Sequence, residues 1–217
     1  VCYARPLGSS GPVYSNLSRQ GEITGYQLFA EVARYRATQS PDAVYNINKI
    51  LQGIELLFGI TAVPGLPARA MAPSLHTDPS WKWSSASHLL PDADPLTGYH
   101  YRSDTPKEQV AVFLLALSEV RLRMTEFPAL VRRATVLLAS MADHLYEHDQ
   151  SLVGRHGQKT PGGDFPMWVI MLPVYGELPL GHNALALLAA QVAAHDATQE
   201  PRFKRRALEL LSNDIME

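Results

Sequence analysis

The chain has 217 residues, 46% hydrophobic and 18% charged, which suffices to bury a sizeable core within one domain. Its formal net charge of -2 gives no electrostatic case for nucleic acid or an anionic membrane. The longest helical apolar runs, around 110–117 and 184–194, are too short for membrane insertion. The only cysteine, Cys2, excludes an intrachain disulfide and a cysteine-based zinc cluster.

Residues 1–20, rich in Gly, Ser and Pro, read as an irregular lead-in to a single domain covering 1–217. The spacing predicts a first helix over 22–38. It places Ile23, Tyr26, Phe29, Ala30 and Ala33 on an apolar face opposite Gln27, Glu31 and Arg34. A second helix over 42–60 has one stripe, from Val44 through Ile47, Leu51 and Ile54 to Phe58. From 62 to 104 the periodicity dissolves into a loop punctuated by prolines and glycines. Four large aromatics, Trp81, Trp83, Tyr99 and Tyr101, argue against disorder there.

A third helix over 105–124 is apolar almost all round from Val110 to Leu117 and is expected to be encased. Asp104 or Thr105 reads as its N-cap, with Pro106 in the first turn and Glu108 near the positive helix end. A fourth helix over 128–148 is amphipathic. A second long loop spans 149–180, within which 167–172 reads as a short strand or a buried segment. A fifth helix over 182–195 is nearly all Ala and Leu and is also expected to be encased. In the sixth, over 201–213, Phe203, Ala207, Leu210 and Leu211 oppose Arg202, Lys204, Arg205 and Arg206.

One tetrapeptide pattern organises these helices. Thr38-Gln39-Ser40-Pro41, Thr125-Glu126-Phe127-Pro128 and Thr198-Gln199-Glu200-Pro201 each separate two helical runs. Proline suits the first position of a helix, where its missing N–H would be unpaired anyway. T-x-x-P therefore reads as a tight helix–turn–helix corner used three times, which implies three antiparallel hairpins. Short corners alternate with long loops, so all corners fall on one face. Both long loops and the N-termini of the odd-numbered helices fall on the other. The fold expected is all-α, with three helical hairpins in an (α/α)-toroid-like, half or partial arrangement. Functional residues belong on its loop-rich face.

Several short motifs resemble those of six-hairpin glycosidase-like proteins. Gly65-Leu66-Pro67-Ala68-Arg69 is similar to that family's P-G-x-x-A-R segment, and Asp104-Thr105-Pro106-Lys107-Glu108-Gln109 to its D-T-S-x-D-Q helix start. Asp143-His144-Leu145, with Gly157-Gln158-Lys159-Thr160 and Gly163, resembles A-D-H-L … D-G-x-x-T-x-W-G. The chain departs from the pattern at Pro106, Glu108, Gly154 and Pro161-Gly162. The resemblance implies an α/α toroid acting on or binding a poly- or oligosaccharide, without a cofactor, and leans toward a secreted or periplasmic protein. Three hairpins rather than six imply a half-toroid completed by a homo-oligomer or by a missing chain segment, or else a divergent short form.

Glycoside hydrolysis needs two carboxyl groups, one of them kept protonated. On the loop-rich face the catalytic candidates are Asp104, Glu108 and Asp164, with Glu22 and Glu177 behind them; each also has a structural reading as a cap, a dipole partner or a turn residue. His100 and His182, with a tyrosine, would instead suit a lyase's β-elimination. Sugars stack on aromatic faces, which nominates Trp81, Trp83, Tyr99, Tyr101 and Trp168 for substrate binding, although aromatics equally pin loops by burial. Arg69 and Arg102 suit a uronate carboxylate or a tie between loops. His144-Leu145-Tyr146-Glu147-His148 matches the H-x-x-E-H pattern of inverted zinc proteases. Nothing nominates a third protein ligand, so no metal site is expected. A non-catalytic glycan- or protein-binding helical domain is the alternative to a carbohydrate-active enzyme, and a zinc hydrolase through His144, Glu147 and His148 ranks behind both.

Overall fold

Six helices in three hairpins carry the structure, a computed structural model that describes residues 19–73, 84–85, 96, 98–165, 168–172, 176–179 and 181–214. The side chains of 84–85, 168–172, 176–179, 181–182 and 212–214 lie outside that description. The hairpins pair α1 (Gln20–Thr38) with α2 (Pro41–Gly59), α3 (Lys107–Arg123) with α4 (Pro128–Glu147), and α5 (Gly181–Thr198) with α6 (Pro201–Asp214). Each T-x-x-P proline opens the second helix of its pair.

Two of the corners are built alike. Gln39 and Gln199 both take the left-handed conformation, with φ of 53° and 60°. The preceding threonine hydroxyls donate back to Arg34 O and Ala194 O, each at 2.8 Å. Those hydroxyls also accept the Ser40 and Glu200 amides at 3.3 and 3.2 Å. The middle corner closes differently. Phe127 packs edge-on against Tyr35 of α1 with ring centroids 5.5 Å apart, and the Tyr35 hydroxyl donates to Glu126.

Helices α1, α3 and α5 form a row, with α3 packed against both neighbours, and α2, α4 and α6 lie along its outside. Small residues set the closest contact: a Cβ on Gly25 would come within 2.6 Å of Val112 Cγ1, so α1 and α3 meet nearly backbone to side chain. The buried face of α1 is therefore Gly21, Gly25, Leu28, Val32 and Tyr35. This corrects the apolar face expected from the sequence, because Tyr26, Phe29, Ala30 and Ala33 are exposed. The expectation that the third and fifth helices are encased is corrected as well. Leu115 and Leu122 of α3, and Leu185 and Val192 of α5, stand in solvent. On α6, Arg206 is buried rather than wet: it donates to Asp143 at 2.6 Å and lies 4.0 Å from the Tyr146 ring centroid.

The long loops are not strand-free, so the all-α reading holds for the scaffold and gives way in the loops. Within 62–104, β1 (Ala70–Pro73), β2 (Ser84–Ser85) and β3 (Tyr99–Arg102) form an antiparallel sheet in the order β1-β3-β2. Within 149–180, β4 (Ser151–Val153) pairs with β5 (Lys159–Asp164), and β6 (Trp168–Leu172) with β7 (Gly176–Pro179). Alternation in such short strands is too brief to register as a period. No helix among the described residues is long and apolar enough to cross a membrane.

Candidate functional site

The loop-rich end is assembled by hydrogen bonds that cross from one element to the next. The Gly21 amide donates to Arg69 O at 3.2 Å, and the Gln20 side chain accepts the Met71 amide at 2.8 Å, so the start of α1 is sewn to β1. The start of α3 is sewn to the same segment. Thr105 Oγ1 donates to Pro67 O at 2.6 Å and Gln109 Nε2 to Ala68 O at 2.8 Å, and both side chains are fully buried. The second loop joins through Thr160 Oγ1, which donates to Thr105 O at 2.8 Å.

Asp104 lies at this junction. Arg69 Nη1 donates to its Oδ2 at 2.9 Å, Arg102 Nε to its Oδ1 at 3.0 Å, and Arg102 Nη2 also reaches Oδ2. The Arg102 side chain is only 7% exposed, while those of Arg69 and Asp104 are about a quarter exposed, at 24% and 28%. The arrangement corrects the capping role read for Asp104 and Thr105. Helix α3 starts at Lys107 behind Pro106, and no side chain caps it. Arg69 and Arg102 do tie loops together, but through Asp104 as well as through backbone.

Asp164 forms a second, smaller cluster on β5. Its Oδ1 accepts from Ser151 Oγ at 2.8 Å, and Lys159 Nζ sits at 3.2 and 3.3 Å from its two oxygens. Burial works to raise its pKa. The Ser151 and Lys159 hydrogen bonds, with the charges of Lys159 and Lys107, outweigh burial and hold the carboxyl below its ordinary value. Lys107 and Lys159 were not singled out from the sequence, since a lone lysine at a helix start or hairpin is unremarkable until its neighbour is known.

The remaining candidates are dispersed. Glu108 points into solvent in the first turn of α3. On β3, Tyr101 is buried in the core, where burial raises its phenol pKa against the opposing charge of Arg155. Tyr99 packs half-buried against the same core. His100, between them, pairs with Ala72 and Ser85 across the sheet. Trp81 and Trp83 lie outside the described residues, as do the side chains of Trp168, His182 and Glu177.

No known protein family, curated protein or solved structure matches the chain. The site's chemistry therefore rests on its own geometry.

The H-x-x-E-H segment is occupied by structure. His144 Nδ1 donates to Pro64 O at 2.9 Å and its Nε2 accepts the Val153 amide at 3.1 Å. A carbonyl can only accept and an amide N–H can only donate, so the ring is the neutral Nδ1–H tautomer with its lone pair spent. Among the described residues no three His, Cys, Asp or Glu side chains converge as metal ligands.

Replacing Asp104 by alanine removes the carboxylate that Arg69 and Arg102 share and is expected to lower stability by about 1–2 kcal/mol, the partial exposure moderating the loss. Glu108→Ala, at an exposed site, is expected to stay within ~0.5 kcal/mol of the parent. Urea denaturation midpoints check both, and equal losses would contradict this picture of Asp104.

Proposed function

We propose that the chain is a carbohydrate-directed protein of the six-hairpin glycosidase-like type. Its three hairpins form part of an α/α toroid, and its saccharide site lies at the loop-rich end. The observation that carries this reading is the Arg69–Asp104–Arg102 cluster, set where both long loops meet the starts of α1 and α3. Guanidinium groups are matched in shape and charge to carboxylates, so the ligand proposed is a uronate-bearing saccharide rather than a neutral one.

Binding is favoured over turnover. Hydrolysis needs a carboxyl kept protonated beside an ionised one, whereas Asp164 is biased toward the ionised form by its contacts with Ser151 and Lys159. A lyase needs an accessible base, and burial pushes the Tyr101 phenol up. Calorimetric titration with polygalacturonate and alginate, against dextran and xylan, tests the reading. Binding to the acidic polymers is expected, weakened about tenfold in Arg69→Ala by loss of a charged hydrogen bond. No heat with any of the four polymers would end the proposal, and release of reducing sugar or unsaturated product would restore the enzyme.

A further inference from the structure

Asp149 and Gln150 join α4 to the β4–β5 hairpin, and both are left-handed without being glycine, with φ of 51° and 59°. That region is sparsely populated by L residues, so the joint is strained in the closed position. The hairpin is held against it by the buried side chains of Leu152 and Phe165, by the bond from Thr160 to Thr105 O, and by His144. The His144 ring bridges the two long loops: Nδ1 donates to Pro64 O in the first, and Nε2 accepts the Val153 amide in the second. Protonation keeps the first bond and abolishes the second. An imidazolium carries N–H at both nitrogens, so Nε2–H would face the Val153 N–H, donor against donor.

Among the described residues no acid stands ready to offset the new charge. Residues 60–66 contain no titratable side chain, and α5 has none from Asn183 to Ala194. On α2, Glu55 is bound to Arg133. On α4, Asp143 is bound to Arg202 and Arg206, and Glu147 and Asp149 are exposed. On α3, Lys107 acts on Asp164, and Glu108 is exposed. On the hairpin, Arg155 and His156 are exposed in the turn, and Asp164 is taken by Ser151 and Lys159. His148, its ring 4.5 Å away, acts on His144 and, with burial, opposes protonation. Asp164 is held below its ordinary pKa, so it stays charged while His144 titrates and keeps the two strands together.

We propose that His144 is an acid-released latch. A proton on Nε2 breaks the bond to the Val153 amide, and the β4–β5 hairpin swings off α4 as one piece about Asp149 and Gln150. Leu152 leaves the core with it. Thr160 leaves as well, so the start of α3 loses its tie to the second loop. The latch involves no saccharide and stands apart from that reading.

Hydrogen exchange of the Val153 amide, followed by NMR and corrected for the intrinsic rate at each pH, tests the latch. Its opening equilibrium is expected to rise about tenfold for each pH unit from 6.5 down to about 4.5. At every pH Val153 is expected to be far less protected than Leu117 in the core of α3. His144→Gln keeps a donor and an acceptor but cannot titrate, and is expected to flatten the rise. His148→Gln is expected to retain it. Val153 protected as strongly as Leu117 would mean that the hairpin opens only with the whole domain, and would overturn the proposal. So would an opening in the parent chain that does not change with pH, whether or not His144→Gln folds. A rise that persists in His144→Gln, or that vanishes only in His148→Gln, would overturn it too.

Discussion

Gly65→Ala is expected to lower the unfolding free energy by about 3–5 kcal/mol, a large share of the ~5–15 kcal/mol that holds a domain together. The position combines two demands that only glycine meets. Its φ is +74°, in the left-handed region where an L side chain is strained. A Cβ there would also collide with the carbonyl oxygen of Ser140 and come within 2.6 Å of His144 Cβ, both on α4. A helix carbonyl cannot retreat without breaking its own ladder. Nor can the turn move away, because Thr61 Oγ1 donates to Leu66 O at 2.8 Å and accepts the Val63 amide at 3.2 Å. Gly53, inside α2 with open space for 4 Å around the place a methyl would take, is the control: alanine there is expected to add about 0.5–1 kcal/mol. Denaturant midpoints of the two variants should move in opposite directions. A Gly65→Ala protein as stable as its parent would mean that this turn does not abut α4.

The second large effect is in pH. Burial, with a smaller contribution from His148 4.5 Å away, pulls the His144 pKa from 6.5 down to about 4, and its hydrogen bond to Pro64 O only partly opposes this. The folded pKa lies below the unfolded one, so the unfolded chain binds the extra proton between the two values. Stability from this group is complete above about pH 6.5, declines as pH falls, and is gone below about pH 4, a loss of about 3 kcal/mol. His144→Gln removes the titration. The difference in unfolding free energy between pH 7 and pH 4 is expected to be about 3 kcal/mol smaller in the variant than in the parent. Identical pH dependence in the two proteins would refute the buried neutral ring.

What was legible in the sequence was what is local. The T-x-x-P corners and six helices follow from proline position and apolar spacing within a few residues, and the alternation of corners and loops gives the hairpins. The buried face of α1 was not legible, for a definite reason. Gly21 and Gly25 carry no hydrophobic weight, yet their missing side chains let α3 approach, and Leu28, Val32 and Tyr35 follow them inward. The richer stripe of Tyr26, Phe29 and Ala33 reads as core and faces out. At the candidate site the types Arg69, Arg102 and Asp104 were picked out but not their mutual pairing, since Arg69 and Asp104 stand 35 residues apart. The H-x-x-E-H pattern around His144 shows only a capacity to bind, and no sequence shows that two backbone groups have already claimed the ring.

The corners differ in what each needs in order to close. The first and third use a threonine hydroxyl and backbone groups at most four residues away, so their hairpins carry the instructions for reversal within themselves. The middle corner also closes locally, the Phe127 amide donating to Met124 O at 2.9 Å, and adds a bond that spans 91 residues, from Tyr35 to Glu126. Loop-closure entropy makes that contact the more costly one to form from an open chain. The outer corners are thus specified within their own hairpins, while the middle one is additionally tied to α1. The repeat is one of sequence and shape but not of attachment: two copies are held by their own residues and the one between them is also anchored to its neighbour.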